Sequence, residues 1–216
     1  MRFTVRKTLL YVFGLLLLGL TVSLMLQTNL GMSSWDAFFK NLHDGIPLHY
    51  FILNSIAAAV LTPIAYLTQK KKFTWWVLFP IGISFFIGAE IDLILQFGLI
   101  PDVSNAGWIL NYAYLAIAII LCAIGLNIIA WCDFPMPALD ELCRSLSVLF
   151  KTSHGNGKLL GELLALILAV LSGMAFRYWS VHYNIGLATL VFAVLIGPVI
   201  DLIRKPMQRI LEALNP

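Results

Sequence analysis

Apolar residues run almost unbroken from Thr8 to Leu26 and then give way to a small polar turn, Asn29-Leu30-Gly31-Met32-Ser33-Ser34-Trp35-Asp36. A helix rises about 1.5 Å per residue and the hydrocarbon layer is about 30 Å thick, so a crossing helix needs roughly 20 apolar residues. Five more runs reach that length, near Tyr50–Thr68, Trp75–Gly98, Trp108–Trp131, Lys158–Phe176 and Asn184–Ile203. The pattern predicts six membrane-spanning helices and leaves little room for a soluble domain.

After the first and fourth runs come a Gly/Pro turn and a shorter segment, residues 34–42 and 138–150, each predicted as a short helix. The two segments are related by repetition. Aligning Met32 with Met136 places Gly31-Met32-Ser33-Ser34-Trp35-Asp36 over Pro135-Met136-Pro137-Ala138-Leu139-Asp140. Upstream, Gly19-Leu20 falls over Gly125-Leu126, and downstream Gly88 to Ile94 falls over Gly197 to Ile203, with Asp92 on Asp201. The chain reads as a tandem duplication, residues 1–105 and 106–216, forming one membrane domain. Each half has an odd number of crossings, so the second enters from the opposite side. The expected fold class is therefore an all-α membrane protein of six transmembrane helices, built as two inverted three-helix repeats. Each repeat carries an extra short helix after its first span. Secondary transporters use this order to frame a solute site near the midplane.

Composition agrees: 60% hydrophobic residues, 12% charged residues and a mean hydropathy of +0.89 exceed what one globular core hides. Basic residues orient the spans, because Lys and Arg are retained in the cytoplasm. With the N-terminus inside, Arg2, Arg6, Lys7, Lys70, Lys71, Lys72, Arg144, Lys151, Lys158, Arg204, Lys205 and Arg209 lie in the cytoplasm, and Lys40 and Arg177 outside. Both termini are then cytoplasmic, and the first run is expected to stay as a signal anchor. The net charge of +3 reports this topology, not a nucleic-acid partner.

The remaining chemistry is sparse. Cys122, Cys132 and Cys143 have no C-x-x-C spacing and read as packing residues. His43, His49, His154 and His182 are scattered over loops, His154 within a Gly-rich turn, His154-Gly155-Asn156-Gly157. No metal motif, P-loop, dinucleotide fingerprint or nucleophile elbow is present, so neither enzymatic activity nor a cofactor is expected. Trp35, Trp75, Trp76, Trp108, Trp131 and Trp179 fall at predicted membrane edges, as interfacial anchors would. Asn54 and Asn127 are expected to hydrogen-bond between helices, and Asp92 and Asp201 to serve helix packing or to snorkel.

The Leu-Gly-x-x-x-Trp-Asp turn at Leu30–Asp36, the Gly-x-x-x-Asp close at Gly88–Asp92 and the run Asn184–Thr189 leading to Gly197-Pro198 resemble the YczE/YyaS/YitT family of bacterial membrane proteins. That resemblance implies a six-helix protein of the bacterial inner membrane and leaves the substrate open.

Ser33-x-x-Asp36 is a capping arrangement, with a hydroxyl for orphan amides and an acid in the first turn. Pro137 fits the first helical position of the second short helix, and Asp140 again falls in its first turn. If the two helix starts meet, Ser33, Ser34, Asp36 and Asp140 form a solute or proton site, joined by Glu162 early in the fifth helix. If the short helices instead lie flat at opposite surfaces, only capping remains. The leading expectation is a small permease with a solute site between the repeats. A non-transporting accessory protein, acting on a membrane partner through the loop 133–158, is the alternative. A substrate-binding subunit of a vitamin uptake complex has similar size but lacks the internal duplication. The expected partners are the lipid bilayer, a small solute or proton, and a second copy or another membrane protein.

Overall fold

A computed structural model describes residues 4–46, 48, 50–70, 75–176 and 184–213. Among them the chain forms α1 (Val5–Leu26), α2 (Ser34–Gly45), α3 (Tyr50–Thr68), α4 (Leu78–Gln96), α5 (Trp108–Cys132), α6 (Ala138–Leu149), α7 (His154–Ala175) and α8 (Leu187–Ala213), with a 3-10 turn at Trp75–Val77 ahead of α4. Six of these helices, all but α2 and α6, are long and apolar enough to cross a membrane, an architecture compatible with a multi-pass membrane protein. The expected contributions of Arg2, His49, Lys71, Lys72, Arg177, Trp179 and His182, and the side chain of Trp76, lie outside the described residues.

Helix α1 packs along α5 and also touches α4; α5 packs on α8. Helix α7 contacts α8, α6 and α2, and α3 contacts α4, α6 and α2. Small residues permit a close seam between α1 and α5. A Cβ added to Gly125 would lie 2.9 Å from the Gly14 carbonyl oxygen, so α1 and α5 approach backbone to backbone. A polar anchor ties the ends of this pair. Asn111 of α5 accepts from the Asn29 backbone N–H at 2.9 Å, and its amide donates to the Val103 carbonyl at 2.8 Å.

Helix α7 starts at His154, four residues before the predicted run, because Ser153 caps it by accepting from the Asn156 N–H. The predicted Gly-rich turn is thus the first turn of a helix. Its glycines are there for contact: a Cβ at Gly155 would lie 2.3 Å from the Gly197 carbonyl oxygen of α8. Asp201 of α8 completes this cap by accepting from the Ser153 hydroxyl at 2.6 Å and the Gly155 N–H at 3.2 Å. Its role is the expected one of helix packing. Helix α8 continues well past the predicted end at Ile203. Ile203, Met207 and Leu211 recur every four residues and keep one face on the core, while Arg204, Lys205 and Arg209 stay exposed.

The two asparagines bridge helices as expected. Asn54 of α3 donates to the Ser84 carbonyl of α4 at 3.3 Å, and Asn127 of α5 to the Ile200 carbonyl of α8 at 3.1 Å. Trp75 and Trp108 are exposed at helix starts, consistent with anchors. Trp35 is not an anchor: it is only 3% exposed and packs with Phe39, Leu53, Leu142 and Ala165.

Candidate functional site

Helices α2 and α6 have 12 residues each, about 18 Å of helix, too short to cross a bilayer. Their N-termini turn inward and meet at one cavity of about 90 Å³, to which each of the eight helices contributes lining. Around it stand Ser33, Trp35, Asp36 and Phe39 on the α2 side, Pro137 and Asp140 on the α6 side, and Lys158 and Glu162 on α7. The two helix starts therefore line the same cavity.

Each start is built locally and then completed from elsewhere in the fold. Gly31 has φ +93°, and a Cβ there would lie 2.4 Å from the Gly186 nitrogen, so only glycine lets this turn pass the start of α8. The Leu30 carbonyl in turn accepts from the Ala188 N–H at 2.8 Å. Ser33 caps α2, its Oγ accepting from the Asp36 N–H at 3.3 Å while its hydroxyl donates to the Asp36 carboxylate. The next amide, Ser34 N–H, donates to Glu162 Oε2 of α7 at 3.3 Å. In the second start Pro137 is the N-cap, not the first helical residue, and it has no side chain that can cap. Ser84 of α4 replaces the missing cap, accepting from the Ala138 N–H at 3.3 Å. Tyr11 of α1 holds the preceding turn through its hydroxyl, which donates to the Pro135 carbonyl at 2.6 Å.

The charged groups form one connected chain. Lys158 Nζ donates to Asp140 Oδ1 at 2.8 Å and lies 3.2 Å from Glu162 Oε1, whose other oxygen receives the Ser34 amide. Asp36 and Asp140 are each 8% exposed, Lys158 6% and Glu162 1%. An ionised group at the centre of a spanning helix costs about 3 kcal/mol on insertion scales. Apolar residues of equal volume are often as stable as a buried ion pair, so stability alone does not account for four such groups around one cavity.

Of the five residues predicted for the site, Ser33, Asp36, Asp140 and Glu162 line the cavity. Ser34 stands behind it, reaching Glu162 through its amide, while its Oγ is buried without a partner among the described residues. Lys158 was misplaced by the charge pattern, which put it in a cytoplasmic loop. Its i,i+4 spacing to Glu162 was the signal that joins it to the site. Trp35, Phe39 and Phe192, which form aromatic walls, were also missed.

Comparison with curated proteins and with solved structures found no match. A family profile does match, over residues 5–205, and so covers every element that lines the cavity. The chain belongs to DUF6198, a family of unknown function.

Proposed function

We propose that the protein is a small permease whose solute or proton site is the central cavity, rather than an enzyme. One observation carries this reading: two interrupted helix starts, remote in sequence, meet at a buried cavity lined by Asp36, Asp140, Lys158 and Glu162. The chain from Asp140 through Lys158 and Glu162 to the Ser34 amide links α6 and α7 to α2. A solute or proton that neutralises one of these carboxylates weakens that link. This couples occupancy of the cavity to movement of one half against the other.

The inverted duplication belongs to the same proposal. Exchanging the halves turns the contact of α1 with α4 into that of α5 with α8, and α3 with α6 into α7 with α2. Asn54 and Lys158, both lining the cavity, are each the fifth residue of their helices. With basic loops inside, both termini are cytoplasmic and the membrane is the bacterial inner membrane, in line with the YczE/YyaS/YitT resemblance. The accessory reading is less favoured, because Asp140, Glu141, Cys143, Ser145 and Lys158 of its loop are buried within the helix bundle.

Cys122, a native thiol that lines the cavity, provides the test. In a Cys132→Ser, Cys143→Ala background, neutral N-ethylmaleimide is added to vesicles of either orientation, with glutathione trapped inside to consume reagent that crosses the lipid. A permease exposes Cys122 to reagent from both faces in turn. A thiol that reacts from one face only rules the permease out.

A further inference from the structure

We propose that Glu90 of α4 is a proton-binding site separate from the central cavity, its carboxyl held as the neutral acid in a notch on α1. This site stands apart from the permease reading. The notch is Gly19. A Cβ added there would lie 2.3 Å from Glu90 Oε2, 2.4 Å from its Cδ and 2.7 Å from Oε1, so the carboxyl occupies the space that a side chain would fill. Both residues lie more than a full turn inside their helices, and Oε2 is buried with no hydrogen-bond partner among the described residues.

The surroundings supply no counter-charge. Helix α4 packs on α1, α3, α6 and the 3-10 turn Trp75–Val77. On α1 the titratable groups are Arg6, Lys7 and Tyr11; both bases lie about 18 Å or more along the helix from Gly19, and Tyr11 donates to the Pro135 carbonyl. On α6, Asp140 pairs with Lys158 and Glu141 accepts from Gln69, beside Cys143 and Arg144. Tyr66 lies on α3, and Asp92, two residues along α4, lines a groove with Phe51 and Gln96. Among the described residues none of these forms an ion pair or hydrogen bond with Glu90. A carboxylate without cation, donor or water is costly inside a membrane, and the neutral acid is less so. Binding a proton removes the charge, and releasing it requires the carboxyl to leave the notch. An apolar groove on the same seam, lined by Val12 and Leu15 of α1 and by Gly82 and Phe86 of α4, ends one turn short of the notch, since Leu15 precedes Gly19 and Phe86 precedes Glu90 by four residues. Val12 and Phe86 are exposed, so a reagent dissolved in the apolar phase comes close to Glu90.

The test uses the purified full-length protein in detergent and dicyclohexylcarbodiimide, with the adduct located by peptide mass spectrometry. The acid O–H adds across one C=N bond of the reagent, and transfer of the acyl group to nitrogen leaves an N-acylurea that keeps every atom of both partners. The rate follows the neutral-acid fraction. For N-acetylglutamic acid amide in the same micelles, a carboxyl with the ordinary value of about 4.3, that fraction falls about a hundredfold between pH 5 and pH 7, whereas labelling of Glu90 is expected to fall less than about threefold. Gly19→Ala fills the notch, where only the mobile end of Glu90 must shift, and is expected to speed labelling at pH 5 at least about threefold by uncovering Oε2. A folded protein that keeps a proton which the unfolded chain releases above about pH 4.3 loses stability as pH rises. The unfolding midpoint of wild type should therefore fall more between pH 5 and pH 7 than that of Glu90→Gln, which stays neutral. Labelling of Glu90 in step with the reference acid, or a pH dependence of unfolding that Glu90→Gln leaves unchanged, overturns the proton site. Equal or slower labelling in Gly19→Ala overturns the notch. If Glu90 takes no label, the unfolding comparison decides alone. None of these results bears on Cys122, so the permease reading stands or falls separately.

Discussion

Lys158 shows how one side chain binds three elements. It lies on α7, donates to Asp140 of α6 and pairs with Glu162, which holds the first turn of α2. Removing the ammonium alone strands two buried carboxylates, and breaking a buried pair in this way costs about 3–5 kcal/mol. Lys158→Met should therefore lower the unfolding midpoint in detergent sharply, while Lys158→Met with Asp140→Asn and Glu162→Gln should recover most of the loss. A single variant as stable as wild type would show that the ion chain is not formed. The parts of the chain were unequally legible in the sequence. Asp36 and Asp140 are legible because each follows a Met by four residues in two similar stretches, Gly31–Asp36 and Pro135–Asp140, that lead into short helices. Lys158 was hidden because hydropathy begins its run at that residue, whereas the Ser153 cap starts the helix four residues earlier and draws the lysine into the bundle. Glu90 is a different kind of buried acid. Its Oε2 faces the notch left by Gly19 on α1 and has no partner among the described residues.

At the scale of elements, the six long helices were legible because period and length dominate apolar runs. Their ends were not, since capping residues and late amphipathic turns set them, as α7 and α8 show. Trp35 was misjudged for a related reason. An aromatic beside a polar turn looks interfacial, yet Trp35, Phe39 and Leu42 recur at helical spacing on one face of α2 and pack together. The turn that sends α2 inward depends on its contact with the start of α8. A Cβ at Gly186 would lie 2.1 Å from the Leu30 carbonyl oxygen, an encounter with backbone that no side-chain rotation relieves. Gly186→Ala should cost about 1–3 kcal/mol through overpacking and should displace the Ser33 cap. Thermal unfolding measures the first effect, and a changed rate of Cys122 modification the second. Unaltered values of both would mean that the turn and α8 are not in contact.

The whole molecule is interleaved. The short helix of each half packs on a long helix of the other, α2 on α7 and α6 on α3. The caps cross in the same way: Ser34 N–H relies on Glu162, and Ala138 N–H relies on Ser84. A half made alone would therefore bury a helix start with an unmatched amide and would leave its side of the charged cavity open to lipid. Both conditions are costly where water cannot substitute for the missing partner. The join between halves, by contrast, is exposed at Asn105 and Ala106 and crosses no helix. Residues 1–105 and 106–216 expressed separately should each fail to give a stable product. Expressed together, a tag on one half should recover the other in equal amount, with Cys122 as reactive as in the intact chain. Co-recovery also requires that the two halves insert with opposite orientation, which a thiol placed at Lys70 and another at Asn105 can report from the two faces of the membrane. A half that is monodisperse and stable on its own would show that the interleaving does not hold the fold together. Halves that insert with the same orientation would refute the inverted repeat.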